Sequence, residues 1–121
     1  MPNPVVKWQI LARDAESVAA FYRDLFGWTL NNDNALGYRE LRSGDDDGID
    51  GGVWPSGVDY PNFVQLFVQV DDIDAAIEKA TAAGAKTLVP KSALPDGDTM
   101  AILQDPHGMS FGLMSAPASR R

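Results

Sequence analysis

The sequence predicts an α+β fold of two tandem βαβββ modules. Their mixed, curved half-sheets form a concave cavity and the helices lie on the outside. Three observations carry that expectation. A strictly alternating segment runs directly into a helical stripe twice along the chain. The two helix starts, Asp14 and Asp72, stand 58 residues apart, and the glycines closing the stripes, Gly27 and Gly84, stand 57 apart. One module of under 60 residues is too small to bury a sheet well, so the repeats share a domain of 121 residues. Module one covers about 5–55, a linker about 56–61, module two about 62–114, and 115–121 reads as a frayed tail.

Each element has a local reason. Val5 to Ala12 places Val6, Trp8, Ile10 and Ala12 on one face and Lys7, Gln9 and Leu11 on the other, the period of a strand with one buried side. Asp14 is an N-cap, and Val18, Phe21, Tyr22, Leu25 and Phe26 recur at helical spacing before Gly27. Trp8, Phe21 and Phe26 read as core. Short strands are expected at Trp28 to Asn31, Gly37 to Arg42 and Ile49 to Trp54, separated by turns at Asn32 to Asn34 and Ser43 to Gly48.

The pattern then returns. Phe63 to Val70 sets Val64, Leu66, Val68 and Val70 against Phe63, Gln65, Phe67 and Gln69. Asp71-Asp72 opens a helix with Ile73, Ala76, Ile77 and Ala80 as its stripe, and Gly84 is expected to end it. Strands follow at Lys86 to Val89, Thr99 to Leu103 and Met109 to Met114, with turns at Pro95 to Asp98 and Asp105 to Gly108. The apolar set of each first strand faces its helix. The mixed sets, Lys7/Gln9/Leu11 and Phe63/Gln65/Phe67/Gln69, face the concavity.

Composition limits the chemistry. With 17 acids against 10 bases the net charge is −7, which disfavours nucleic acid and anionic membranes as partners. No cysteine leaves no thiol nucleophile, disulfide or thiolate metal site, and one histidine leaves little for acid–base or metal work. No leader or membrane-spanning segment is legible, so a cytoplasmic location is expected. No nucleophile–base–orienter set can be assembled, and the catalytic residues stay unknown. His107 reads as a solvated turn residue. The run Asp45-Asp46-Asp47-Gly48 resembles a calcium loop counted from Ser43, but Trp54 stands where the bidentate Glu belongs, so it reads as a solvated hairpin.

Asp14 followed by Phe21-Tyr22-Arg23-Asp24-Leu25-Phe26-Gly27-Trp28, then Val70-Asp71-Asp72-Ile73-Asp74-Ala75-Ala76 with Gly84-Ala85, and finally Asp105-Pro106-His107-Gly108-Met109-Ser110-Phe111, resembles the vicinal oxygen chelate superfamily of glyoxalases, bleomycin-resistance proteins and extradiol dioxygenases. The resemblance spans residues 5–114. It implies paired βαβββ modules and a homodimer, and it identifies no reaction. The metal enzymes of that superfamily carry His, Gln or Glu at four concave positions. These fall here at Lys7, within Gly51-Gly52-Val53-Trp54, at Gln65 and at Gly112. Only Gln65 carries a donor of the required type. No metal cofactor is therefore expected.

The leading expectation is a glyoxalase/bleomycin-resistance-like protein that binds a small organic molecule in a concave pocket of Lys7, Gln9, Trp54, Phe63, Gln65, Phe67 and Met114, without a metal. One alternative is a metal-dependent lyase, isomerase or dioxygenase using displaced ligands, with Glu40, Gln65 and Gln69 as candidates. Another is a non-enzymatic interaction protein.

Overall fold

The structure, a computed structural model, describes residues 2–33, 37–56, 62–94 and 98–115. Asn34, the expected turn residues 95–97, the linker from 57 to 61 and the tail from 116 onward lie outside the described residues. Two compact units divide the chain. One is Val6–Gln65; the other takes the residues from Leu66 onward together with the first five. The class is α+β with mixed strand pairing in each half.

In the first half, β1 (Val5–Ala12) leads into α1 (Ala15–Phe26), followed by β2 (Thr29–Asn31), β3 (Arg39–Arg42) and β4 (Gly51–Pro55). The strand order is β2-β3-β4-β1, with β4 parallel to β1 and antiparallel to β3. Asp14 caps α1 by accepting the Ser17 backbone N–H at 3.1 Å. Gly27 closes the helix at φ 72°, a left-handed conformation that favours glycine, and its N–H returns to the Arg23 carbonyl. The core is Ala12, Ala15, Ala19, Leu41 and Val53, with Trp8, Ile10, Val18, Tyr22, Trp28 and Leu30 packed against it. Small residues on the buried side of α1 let the helix approach the sheet closely.

The second half repeats the plan with β5 (Phe63–Gln69), α2 (Ile73–Ala82), β6 (Lys86–Ala93), β7 (Thr99–Gln104) and β8 (Ser110–Ser115), in the order β5-β8-β7-β6. Asp72 caps α2 by accepting the Ala75 N–H at 3.1 Å. Val70, Ile73, Ala85, Ala101, Leu103 and Leu113 form this unit's core beneath Ala76, Ile77 and Ala80 of α2.

Four expectations need correction. Phe21 and Phe26 are not core: they are 59% and 57% exposed, and Leu25 is 58% exposed, because α1 rests on Ala15 and Ala19 instead. Val64 and Leu66, expected beneath a helix, are also more than half exposed; α2 covers Val70, at the end of that alternation. The C-cap of α2 is Ala83, with Gly84 following it at φ 105°. Finally, β6 continues through Pro90 to Ala93. Its end position in the strand order tolerates a residue with no N–H, and its register shifts on either side of Val89.

Candidate functional site

Alternation fixes which side chains share a face. Ile10 and Ala12 belong to the α1 side of β1, so Lys7, Gln9 and Leu11 project from the opposite, helix-free face. Val53 and Leu41 are core, so Gly52 and Trp54 of β4 and Glu40 of β3 project the same way. The register places Gln9 beside Gly52 and Gly52 beside Glu40, a row across three strands. Leu11 pairs with Trp54.

That row is bound together. The Trp54 indole N–H donates to Gln9 Oε1 at 2.7 Å, and Gln9 also hydrogen-bonds the Tyr38 hydroxyl. The Tyr38 and Trp54 rings stack at 4.5 Å between centroids. Burial, reinforced by the nearby Glu40 charge, pushes the Tyr38 hydroxyl well above its ordinary pKa, so it stays neutral. Glu40 itself pairs with Arg42 at 3.1 Å. Tyr38 was not singled out from the sequence. The signal for it is Gly52, a strand glycine whose missing side chain leaves room for a ring.

Gln65 behaves differently from Gln9. Val68 pairs with the core residue Leu113, so Gln65, of opposite parity on β5, projects from the helix-free face of that strand. Its residue is 0% exposed, and neither Oε1 nor Nε2 has a hydrogen-bond partner among the described residues. Each buried unpaired polar group of this kind costs about 1–3 kcal/mol. Of the other nominated residues, Lys7, Trp54 and Phe63 are half-buried in the unit that holds Gln65. Phe67 and Met114 belong to the other unit, both buried and on its helix-free face, since the neighbouring Leu113 packs into the core.

The four positions at which the superfamily holds a metal do not fit one. The Lys7 ammonium has no lone pair and repels a cation. At Gly52 a Cβ would lie 2.3 Å from the Tyr38 hydroxyl, and at Gly112 it would lie 2.4 Å from the Phe67 ring. Both places from which a ligand side chain would project are thus filled by an aromatic ring. Gln65 alone offers a donor oxygen, too little to hold a divalent ion selectively. Of the displaced candidates, Glu40 is engaged by Arg42, and Gln69 is half-buried with its backbone N–H on the Pro4 carbonyl. Among the described residues no three His, Cys, Asp or Glu side chains gather into a metal site.

The other sequence candidates are surface features. His107 is exposed in its turn, where its backbone N–H donates to Asp105 Oδ1 at 2.8 Å. In the Ser43 to Asp50 loop, Asp45 and Asp50 accept backbone N–H groups and so shape the turn. Sequence reasoning also missed a cavity of about 380 Å³ beside α1, lined by Ile10, Val18, Phe21, Tyr22, Phe63 and Val64 among others. Only Phe63 of the nominated residues reaches it.

Comparison with known proteins adds family and fold. A family model described as a glyoxalase-like domain matches residues 6–114. The chain is 33% identical over 111 residues to CFP32 of Mycobacterium bovis and of Mycobacterium tuberculosis, proteins named as candidate glyoxylases. That match covers 88% of this chain and 42% of the relative, so the chain spans about two-fifths of the length of these relatives. Among solved structures, the hypothetical protein BH1468 of Bacillus halodurans matches with a TM-score of 0.74 at 14% identity, covering 97% of this chain and 96% of that one. A methylmalonyl-CoA epimerase bound to methylmalonyl-CoA matches with a TM-score of 0.68 at 17% identity over 98% and 97% of the two chains. The epimerase of Mycobacterium tuberculosis matches at 0.65 and 18% identity, over 96% and 90%. At such identities the structural matches speak for the fold. Among the described residues, no helix is long and apolar enough to cross a membrane.

Proposed function

Since the chain belongs to the glyoxalase-like domain family, we propose that it is a member that binds a small organic molecule on its helix-free sheet face without the family's metal. The observation that carries this reading is Gln65, a fully enclosed amide with both polar atoms unpartnered among the described residues. A structural glutamine has no reason to bear that cost, whereas a recognition group gains from it once its partner arrives. Gln9 is the contrast: its amide is used to hold Trp54 and Tyr38 in place. The binding residues we propose are Lys7, Gln9, Trp54, Phe63 and Gln65, with Phe67 and Met114 on the helix-free face of the second repeat. Tyr38 joins them as the ring beneath Trp54.

Two measurements test this. Metal analysis of protein purified without chelator is expected to find no stoichiometric Mn, Fe, Ni or Zn; finding one overturns the metal-free reading in favour of a lyase, isomerase or dioxygenase. A Gln65→Met variant is expected to gain about 1–3 kcal/mol of stability to urea while losing ligand binding, because an apolar side chain of similar size removes the unpaired groups. A large loss of stability instead makes Gln65 structural. The assembly that goes with this reading is a homodimer, supported by the exposed Phe21, Leu25 and Phe26 on α1, and the location is the cytoplasm.

A further inference from the structure

We infer that the group recognised at Gln65 is a neutral, planar edge carrying a hydrogen-bond donor and an acceptor side by side, as in a lactam, a carboxamide or an imide. The inference rests on the binding role proposed for that residue and narrows the chemistry of its ligand.

It follows from which atoms lack partners. Both Oε1 and Nε2 of Gln65 are buried and unpartnered among the described residues, so one acceptor and one two-proton donor need pairing together. A metal ion or an ammonium group satisfies Oε1 and leaves Nε2 unpaired. A carboxylate satisfies Nε2 and sets its charge against Oε1. An aliphatic or purely aromatic ligand satisfies neither. Only a group with adjacent donor and acceptor in one plane answers both, by the two-point pairing that amides make with one another. Rotating the Gln65 amide by 180° exchanges its two atoms and leaves the requirement unchanged.

The surroundings agree with an uncharged ligand. Gln65 is wholly enclosed, so any ligand group that reaches it is stripped of water, which weighs heavily against a formal charge. The fully buried position also means that ligand entry requires neighbouring side chains to move.

The test uses the whole chain and four probes: 2-pyridone, N-methyl-2-pyridone, benzoate and manganese(II), each titrated by NMR against wild type and Gln65→Met. 2-Pyridone is expected to bind saturably, its N-methyl derivative at least tenfold more weakly because the donor is gone, and Gln65→Met to weaken 2-pyridone by a similar factor. Equal binding of the two pyridones, or tighter binding of benzoate, overturns the donor–acceptor assignment and leaves the binding role standing. Manganese binding that disappears in Gln65→Met overturns it in favour of a metal ligand. If none of the probes binds the wild type while Gln65→Met is destabilised, both the inference and the binding role fall. Gln65→Glu separates folding from recognition: at a pH where its carboxyl is protonated it keeps size, shape and an adjacent donor and acceptor, so it is expected to retain both the native NMR spectrum and 2-pyridone, and loss of 2-pyridone with a native spectrum overturns the two-point pairing.

Discussion

Two glycines show how much a single residue decides here. Gly52 and Gly112 each lie beneath an aromatic ring, Tyr38 and Phe67, at distances no Cβ could share. Gly112→Ala would put a methyl 2.4 Å from the Phe67 ring, so overpacking is expected to cost about 1–3 kcal/mol in urea denaturation. An unchanged midpoint would show that the ring moves freely. Asp105 makes a different kind of prediction. Its carboxyl accepts the Met109 N–H at 3.0 Å and the His107 N–H at 2.8 Å, and these bonds hold its pKa below the ordinary 3.8. A carboxyl depressed in the folded state contributes stability at pH values above 3.8 and loses that contribution as pH falls through the lower folded value. Asp105→Asn keeps an acceptor and cannot titrate, so its melting temperature is expected to fall less than wild type below pH 3.8. Parallel pH profiles would remove Asp105 from the acid response.

At the scale of elements, the two first strands and both helix starts were legible because their causes are local. Alternation sets the faces of β1 and β5, and Asp14 and Asp72 satisfy N–H groups three residues ahead. The helix end at Gly27 was legible for the same reason. No atom lies within 4 Å of a Cβ placed there, so Gly27→Ala tests conformation alone and is expected to cost about 1–2 kcal/mol in thermal unfolding. No effect would mean that the last turn of α1 unwinds at little cost. Less legible was the length of β6, since Pro90 argues against a strand until its place at the end of the order is known. The packing of α1 was misread because Phe21, Leu25 and Phe26 recur at helical spacing as a core stripe would. The helix in fact meets its sheet through Ala15 and Ala19, with Val18 and Tyr22 packed beside them, while Phe21, Leu25 and Phe26 stay more than half exposed.

For the molecule as a whole, those exposed side chains are the feature that asks for a partner. In the homodimer proposed above, a second copy covers the Phe21, Leu25 and Phe26 face of α1. Wild-type protein is expected to sediment as a dimer and Phe21→Glu as a monomer with an unchanged far-ultraviolet spectrum. A monomeric wild type would remove the homodimer.

By itself the sequence determined the repeat, the α+β class, the order of elements and the alternation within β1 and β5. All of these follow from periodicities and caps that act within a few positions of the chain. The tertiary structure decided that Tyr38 lies over Gly52, that the Gln9 amide is taken by Trp54 and that the Gln65 amide is not paired among the described residues. The first two depend on register between strands: Gln9 and Trp54 are 45 positions apart. The third depends on a full inventory of hydrogen-bond partners, which exists only once the chain has folded. Residue type could nominate Gln9 and Gln65 alike; only packing separates the amide taken by Trp54 from the one left unpaired among the described residues.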